Sequence, residues 1–563
     1  MKILDVKNLS FNYVDFPPVW ENLNFSINEG DITVLLGPSG SGKSVLLQQL
    51  IYKLAPFGNF SGEILYRDED LLEMDPKTRV AKIAYVAQNP DDQLISESVW
   101  QEMSFNLENL GVEPEIMRSR IAEIANFFGI QEWFWDKTHE LSGGQKQILN
   151  VASALVLKPD ILVLDEADSS LDPVTRSEFL AMLKRLNEEL GLTILMSSHN
   201  WSMLLPFADK VLYLDEQSIQ EFDSGSSFAM HVLRNKAEQA QALPAATQLS
   251  LALGAGEAGR ADGTGRAEVD LAMTVGQAKK QLADADRRLE AVTPPVLTKK
   301  ENILEVKDLS FRYKKTGQNI LNHMDFSVPE KSISFILGGN GSGKSSLLKC
   351  LVGQVNYAGK IKWSSNAVKL AYLPQNVRLL FSAGSILDEI NNAYNLLGPE
   401  ALDYLADLLT VEKTELSAAR ILTEFGLGHR LDFHPSDLSG GELQRAALAL
   451  VLLDKTDVLL LDEPSNNLAY EDKKYLGELL LKLKGKGLSI IAVSHDLEFC
   501  AELADYQALL FQGEILSFNR PHEFFNDNFF YTTDASRISR DFTASGYSAI
   551  TGAELLASLE GFE

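Results

Sequence analysis

The first residues, MKILDVKNLSFNY, alternate apolar and polar side chains with a period of two, which predicts a half-buried strand at the start of the chain. Elsewhere the apolar residues come in unbroken runs of strand length. ILVLDEADSSLD, DVLLLDEPSNNLA, TILMSSH and SIIAVSH each close on a carboxylate or a histidine. Unbroken runs of this length suit strands buried on both faces. None approaches the roughly 20 apolar residues needed to cross a bilayer, so any membrane role has to come through a partner.

The pattern is written twice. ILDVKNLSFNY returns as ILEVKDLSFRY, and LLGPSGSGKSVLL returns as ILGGNGSGKSSLL. Tyr13 and Tyr313 are 300 positions apart, Gly37 and Gly338 301, Ser142 and Ser439 297, Asp165 and Asp462 297, and His199 and His495 296. Only the middle slips, with Gln88 and Gln375 separated by 287. Copies this long predict two homologous domains, 1–223 and 301–523, rather than a solenoid of short units.

Between them, 224–300 changes character. LALGAGEAGRADGTGRAE is rich in Ala and Gly and predicts a flexible linker, whereas TVGQAKKQLADADRRLEAV has the composition of a helix that Thr274 could cap. The tail 524–563, with FFNDNFFYTTDAS, is aromatic without a clear period.

Composition narrows the function. Among 563 residues, 51 basic and 78 acidic side chains leave a formal charge of −27, which disfavours a polyphosphate backbone as partner, so no nucleic acid is expected. Cys350 and Cys500 are the only cysteines, both in apolar patterns, which argues against a disulfide framework or a thiolate metal site. The N-terminal segment lacks the features of a signal peptide, and a cytosolic location is expected.

The candidate chemistry is phosphate chemistry. Gly37, Pro38, Ser39, Gly40, Ser41, Gly42, Lys43 and Ser44 form one glycine-rich loop, and Gly338, Gly339, Asn340, Gly341, Ser342, Gly343, Lys344 and Ser345 form the other. Each follows a strand-like run and opens a helix-like one. Backbone N–H groups and the helix start would cradle phosphates, Lys43 and Lys344 would neutralise the terminal ones, and Ser44 and Ser345 would ligate Mg²⁺. Asp165 and Asp462 at strand ends would hold Mg²⁺, and Glu166 and Glu463 would polarise the attacking water. His199 and His495 would contact the terminal phosphate.

Shortly before each Asp–Glu pair stand LSGGQKQ, from Leu141, and LSGGELQR, from Leu438. With these segments both halves resemble the ATP-binding cassette (ABC) family, every motif in order. The resemblance implies an α/β fold: two P-loop NTPase ABC-type nucleotide-binding domains, each a mixed sheet core with an antiparallel β subdomain and an α-helical subdomain. It also implies an ATPase whose two cassettes form an intramolecular head-to-tail dimer. One site would combine Tyr13, the Gly37 loop, Gln88, Asp165, Glu166 and His199 with Ser439, Gly440 and Gly441. The other would combine Tyr313, the Gly338 loop, Gln375, Asp462, Glu463 and His495 with Ser142, Gly143 and Gly144. In this family the tyrosines stack on adenine, and Gln88 and Gln375 touch Mg²⁺ and water while joining the core to the helical subdomain. Three departures stand out: Ala167 follows Glu166 where proline is usual, Glu442 replaces a Gln, and Ala469 stands where the first copy has Asp172. Both sites are still expected to hydrolyse ATP, at rates that could differ.

QNPDDQ after Ala87, followed by SVWQEMSF, resembles the cassettes of energy-coupling factor importers, which take up vitamins and transition-metal ions. That resemblance implies a transmembrane coupling protein and a substrate-binding membrane protein as partners, with the chain peripheral on the cytosolic face of the membrane. The alternatives are a tandem cassette ATPase acting on ribosomes, which the acidic charge disfavours, and the tandem ATPase of a sugar importer, in which one site often departs from consensus.

Overall fold

The structure, a computed structural model, describes residues 1–559 apart from 52, 170, 216, 259–270, 296–299, 314–316 and 318. The chain divides into two compact units, Met1–Ala278 and Lys279–Glu563.

In the first unit the alternating N-terminal strand Lys2–Asn12 pairs antiparallel with Pro18–Asn28 and with Asn59–Tyr66. The unbroken apolar runs build a six-stranded sheet. Its strands Ile83–Val86, Ile161–Asp165, Thr193–Ser197, Ile32–Leu36 and Lys210–Asp215 lie parallel in that spatial order, with Ser218–Phe222 antiparallel at the edge. Both faces are buried, as the unbroken runs require. Leu162 and Leu164 point into a core shared with Phe179, Leu183 and Phe228, while Ile161 and Val163 face a core shared with Leu4, Trp20 and Leu46. Helices Val99–Asn109 and Pro114–Phe127 pack with Gly143–Leu155, the signature helix, which the LSGGQKQ segment opens, around a separate helical core of Val99, Met103, Ile121 and Leu149.

The second unit repeats the plan. Asn302–Phe311 pairs antiparallel with Leu321–Pro329 and Ala358–Trp363. A six-stranded sheet runs Leu370–Leu373, Val458–Asp462, Ser489–Ser494, Ile333–Leu337, Tyr506–Phe511 and Glu514–Asn519, again with only the last strand antiparallel.

The inter-cassette segment departs from the expectation of a linker. Gly225–Asn235 is a helix whose Phe228, Ala229 and Val232 are buried in the core of the first unit. A second helix, Ala245–Ala258, starts before the quoted Ala/Gly stretch and runs into it, and Thr247 Oγ1 donates to the Ala272 carbonyl at 2.9 Å while Ser250 Oγ accepts from the Ala272 N–H at 3.1 Å. Apolar burial and these bonds outweigh the composition. The glycine-rich middle, 259–270, lies outside the described residues. Val275–Asp284 is helical, as its composition predicts. The tail also folds on its own unit: Pro521–Asp527, Asp534–Ser539 and Gly552–Ala557 are helices, and Phe524 and Phe525 are fully buried in the second core. Among the described residues no helix is long and apolar enough to cross a membrane.

Candidate active sites

Parallel pairing brings the candidate residues of each copy to one end of its sheet. Asp165 pairs with Ser197 in register, so the carboxyl ends of neighbouring strands lie side by side, where open α/β sheets bind ligands. The Gly37 loop leaves the adjacent strand and ends at Gly42, φ 91°, which caps the helix Lys43–Gln49. Its counterpart Gly343 has φ 105°. A Cβ at Gly42 would lie 2.6 Å from Val19 Cγ1, and one at Gly343 2.8 Å from Leu321 Cδ2, so neither position takes a side chain without displacement.

Lys43 Nζ donates to the carbonyls of Gly37, at 3.0 Å, and Pro38, at 2.8 Å, folding the ammonium over its own loop. Lys344 does the same with Gly338, at 2.9 Å, and Gly339, at 3.2 Å. Ser44 Oγ donates to Asp165 Oδ1 and Ser345 Oγ to Asp462 Oδ1, both at 3.0 Å. Three hydroxyls that sequence reasoning missed complete the cages: Tyr85 OH and Ser197 Oγ donate to Asp165 at 3.1 and 2.7 Å, and Tyr372 OH donates to Asp462 at 3.3 Å. Tyr85 and Tyr372 stand three residues before Gln88 and Gln375, so aligning the two copies could have found them. Burial pushes both aspartate carboxyls above the ordinary value, and these hydroxyls only partly offset it. Neither aspartate has an ion-pair partner among the described residues.

The next residue is organised differently. Glu166 and Glu463 sit in the left-handed region, φ 47° and 52°, a strained conformation for a side chain of this size. His199 Nε2 lies 2.8 Å from Glu166 Oε1, and Gln88 Nε2 donates to Glu166 Oε2 at 2.8 Å. In the second copy His495 Nδ1 is 2.8 Å and Lys344 Nζ 3.5 Å from the Glu463 carboxylate, while Gln375 is exposed. Burial alone would raise these glutamates, but His199 and Lys43 around Glu166, and His495 and Lys344 around Glu463, outweigh it and hold both below the ordinary value.

Tyr13 and Tyr313 are 39% and 61% exposed at the rims of their units, each set edge-on to a neighbouring ring, Phe11 or Phe311. Ser142 and Ser439 are the N-caps of the signature helices Gly143–Leu155 and Gly440–Val451. Gly143 and Gly440 are exposed, whereas Gly144 and Gly441 are buried. A Cβ at Gly441 would lie 2.1 Å from the Asp472 carboxylate.

The loop QNPDDQ is tied at both ends. Gln93 accepts from the Ala87 N–H at 3.0 Å and donates to the Tyr85 carbonyl at 2.8 Å, closing the loop onto the strand it leaves. Asn150 donates to the Pro90 carbonyl at 3.2 Å and Lys146 pairs with Asp91 at 2.5 Å, fastening the same loop to the signature helix.

Residues 20–169 and 321–466 match the family model described as ABC transporter. The chain belongs to the ABC transporter family. It is 35% identical, over 95% of both chains, to a "Putative ABC transporter ATP-binding protein" of Bacillus anthracis. It is 28% identical, over 93% of both, to the "Putative HMP/thiamine import ATP-binding protein YkoD" of Bacillus subtilis. Among solved structures, the archaeal ribosome recycling factor aABCE1, crystallised with the ribosomal stalk protein aP1, is 19% identical with a TM-score of 0.55, covering 92% of this chain and 91% of that one; it shares the fold. The expected α/β fold with two ABC nucleotide-binding domains is therefore what the chain adopts, and the chain is an ATP-binding, ATP-hydrolysing subunit of an ABC transporter.

Proposed function

We propose that this chain is the energy-coupling ATPase of an importer of the energy-coupling factor type, carrying a vitamin, a vitamin precursor or a transition-metal ion. The observation that carries this reading is the extent of the similarity to YkoD, which covers both cassettes and the segment between them. The QNPDDQ loop supports it, because its ties to Tyr85 and to the signature helix make it a rigid strap between the nucleotide core and the helical subdomain. A transmembrane coupling protein and a substrate-binding membrane protein are its partners, and the chain works at the cytosolic membrane face.

Within each copy the glycine-rich loop and its lysine bind the phosphates of ATP, and Tyr13 or Tyr313 stacks on the base. Glu166 and Glu463 are the general bases, and His199 and His495 orient them. The signature segments Ser142–Gly144 and Ser439–Gly441 are further contacts for a terminal phosphate. Mg²⁺ suits the buried carboxylates of Asp165 and Asp462: hydroxyl oxygens surround them and no cation pairs with them among the described residues, which is a hard-oxygen donor set. Ser44 with Asp165 and Gln88, and Ser345 with Asp462 and Gln375, would hold the ion, which when bound neutralises charge on the phosphates.

The test is affinity purification of the tagged chain from its native cells in mild detergent, with co-purifying proteins identified by mass spectrometry. Recovery of a polytopic coupling protein with a small substrate-binding membrane protein is expected. Recovery of ribosomes without membrane proteins would overturn the reading, and recovery of a sugar permease would reassign the cargo. In the purified complex, joint Lys43→Ala and Lys344→Ala substitution should abolish ATPase activity.

A further inference from the structure

Both signature helices open with the same capping box, closed by different residues. In the first, Gln145 Oε1 accepts from the Ser142 N–H at 2.9 Å while Ser142 Oγ accepts from the Gln145 N–H at 3.3 Å. In the second, Glu442 Oε2 accepts from the Ser439 N–H at 2.9 Å and Ser439 Oγ from the Glu442 N–H at 3.3 Å. The distances match, but glutamate brings a full negative charge to a helix start whose exposed groups are read above as a phosphate contact. Glu442 is 8% exposed, so water screens that charge poorly.

The structure places a counter-charge beside it. Arg430 Nε donates to Glu442 Oε1 at 2.8 Å, and His429 Nε2 lies 3.4 Å from the same oxygen. Phe433 braces the guanidinium, its ring centroid 4.7 Å away. In the first copy the corresponding residues, aligned through Phe128-Gly129 and Phe425-Gly426, are Glu132 and Trp133. The exchange of Gln for Glu therefore comes with an exchange of Trp for Arg at the position that touches it, which a helix cap alone does not need, since Gln145 caps without a cation.

We propose that Arg430 is a positioning residue for ATP turnover: it holds the Glu442 carboxylate in the helix cap and cancels its charge, so that the Ser439–Gly441 segment can accept a terminal phosphate. This rests on the assignment of the signature segments above. It predicts a specific failure when the arginine is lost, because an uncompensated carboxylate repels the terminal phosphate that ATP has and ADP lacks.

The experiment compares Arg430→Ala, Arg430→Lys, Glu442→Gln and the double variant Arg430→Ala/Glu442→Gln in the full chain with its membrane partners, reading KM and kcat for ATP and the affinity for ADP. Arg430→Ala should raise KM for ATP by roughly tenfold while shifting ADP affinity less than about twofold. Arg430→Lys, which keeps the charge and guards against a folding defect, should lose much less. The double variant should return to the values of Glu442→Gln alone, since a neutral residue needs no counter-charge. Equal losses for ATP and ADP, an unchanged KM, or a double variant no better than Arg430→Ala would each overturn the proposal. Ser439→Ala separates the two readings: if it too leaves KM and kcat for ATP unchanged, the assignment of the segment fails; if it impairs turnover while Arg430→Ala does not, only the role of Arg430 fails.

Discussion

Glu166 and Asp165 are neighbours in sequence, buried side by side, and pushed in opposite directions. His199, Gln88 and Lys43 converge on Glu166, whereas Asp165 meets only hydroxyls. A base held below the ordinary glutamate range stays ionised from neutral into mildly acidic solution, so its own titration should not limit ATPase activity there. Substituting Glu166→Gln together with Glu463→Gln should lower kcat by about 10²- to 10⁴-fold with ATP binding retained, measured by phosphate release and by nucleotide binding. The single variants should lose unequal amounts, because Gln88 bonds Glu166 while Lys344 faces Glu463. For Asp165 and Asp462 the sign reverses. A carboxyl whose folded-state value is raised favours protonation in the fold, so at higher pH its ionised form costs stability. Without nucleotide, Asp165→Asn and Asp462→Asn should therefore raise Tm near neutral pH, with the gain shrinking as the pH falls and the wild-type carboxyls take up protons, while hydrolysis is lost. Thermal unfolding followed across pH checks both the sign and its fading.

At the scale of elements, the replacement of Asp172 by Ala469 acts on a helix end. Asp172 caps Pro173–Leu190, accepting from the N–H groups of Val174 at 3.2 Å and Thr175 at 3.1 Å. Ala469 begins Tyr470–Gly485 with nearly the same backbone, φ −64° and ψ 162° against −66° and 162°, and no side-chain cap. Asp172→Ala should cost about 1 kcal/mol in denaturant unfolding. Ala469→Asp should gain about 0.5 kcal/mol, at the low end for a new cap because Glu471 and Asp472 already crowd that first turn with negative charge. A glycine-rich loop, an apolar run ending in Asp–Glu and a Ser-Gly-Gly helix start are local devices, in which neighbouring residues set the geometry, so their elements were legible. Tyr85 and Ser197 on Asp165, or Arg430 on Glu442, are joined by strand adjacency and helix packing, and no local pattern announces them. The Ala and Gly content of 251–268 reads as a loose chain, yet 251–258 continue a helix, and upstream of that stretch Phe228, Ala229 and Val232 carry the spacing of a helix with one buried face.

For the whole molecule, the pairing of core with appendage bears on how the chain holds together. Each unit has recruited sequence from outside its cassette: Gly225–Ala258 and Leu271–Met273 complete the first, and the tail helices complete the second. In the tail the Arg540 guanidinium donates to the carbonyls of Phe525 at 3.3 Å and Asn528 at 3.0 Å, tying the segment that carries Phe524 into the core with Leu452, Phe499 and Ile550. A side chain buried this completely has nowhere to re-solvate when truncated, so Phe524→Ala should remove about 3–5 kcal/mol, a large share of what holds a domain folded. Phe228→Ala should cost a similar amount through the first core. Because the partners of each ring lie within its own unit, the damage should stay local in hydrogen exchange. Phe524→Ala should lose amide protection in the strands Val458–Asp462 and Ser489–Ser494 and spare Ile161–Asp165, and Phe228→Ala should do the reverse. Loss of protection in both sheets from either substitution would show that the two units unfold as one, and that the appendages stabilise the whole chain rather than the cassette each of them covers.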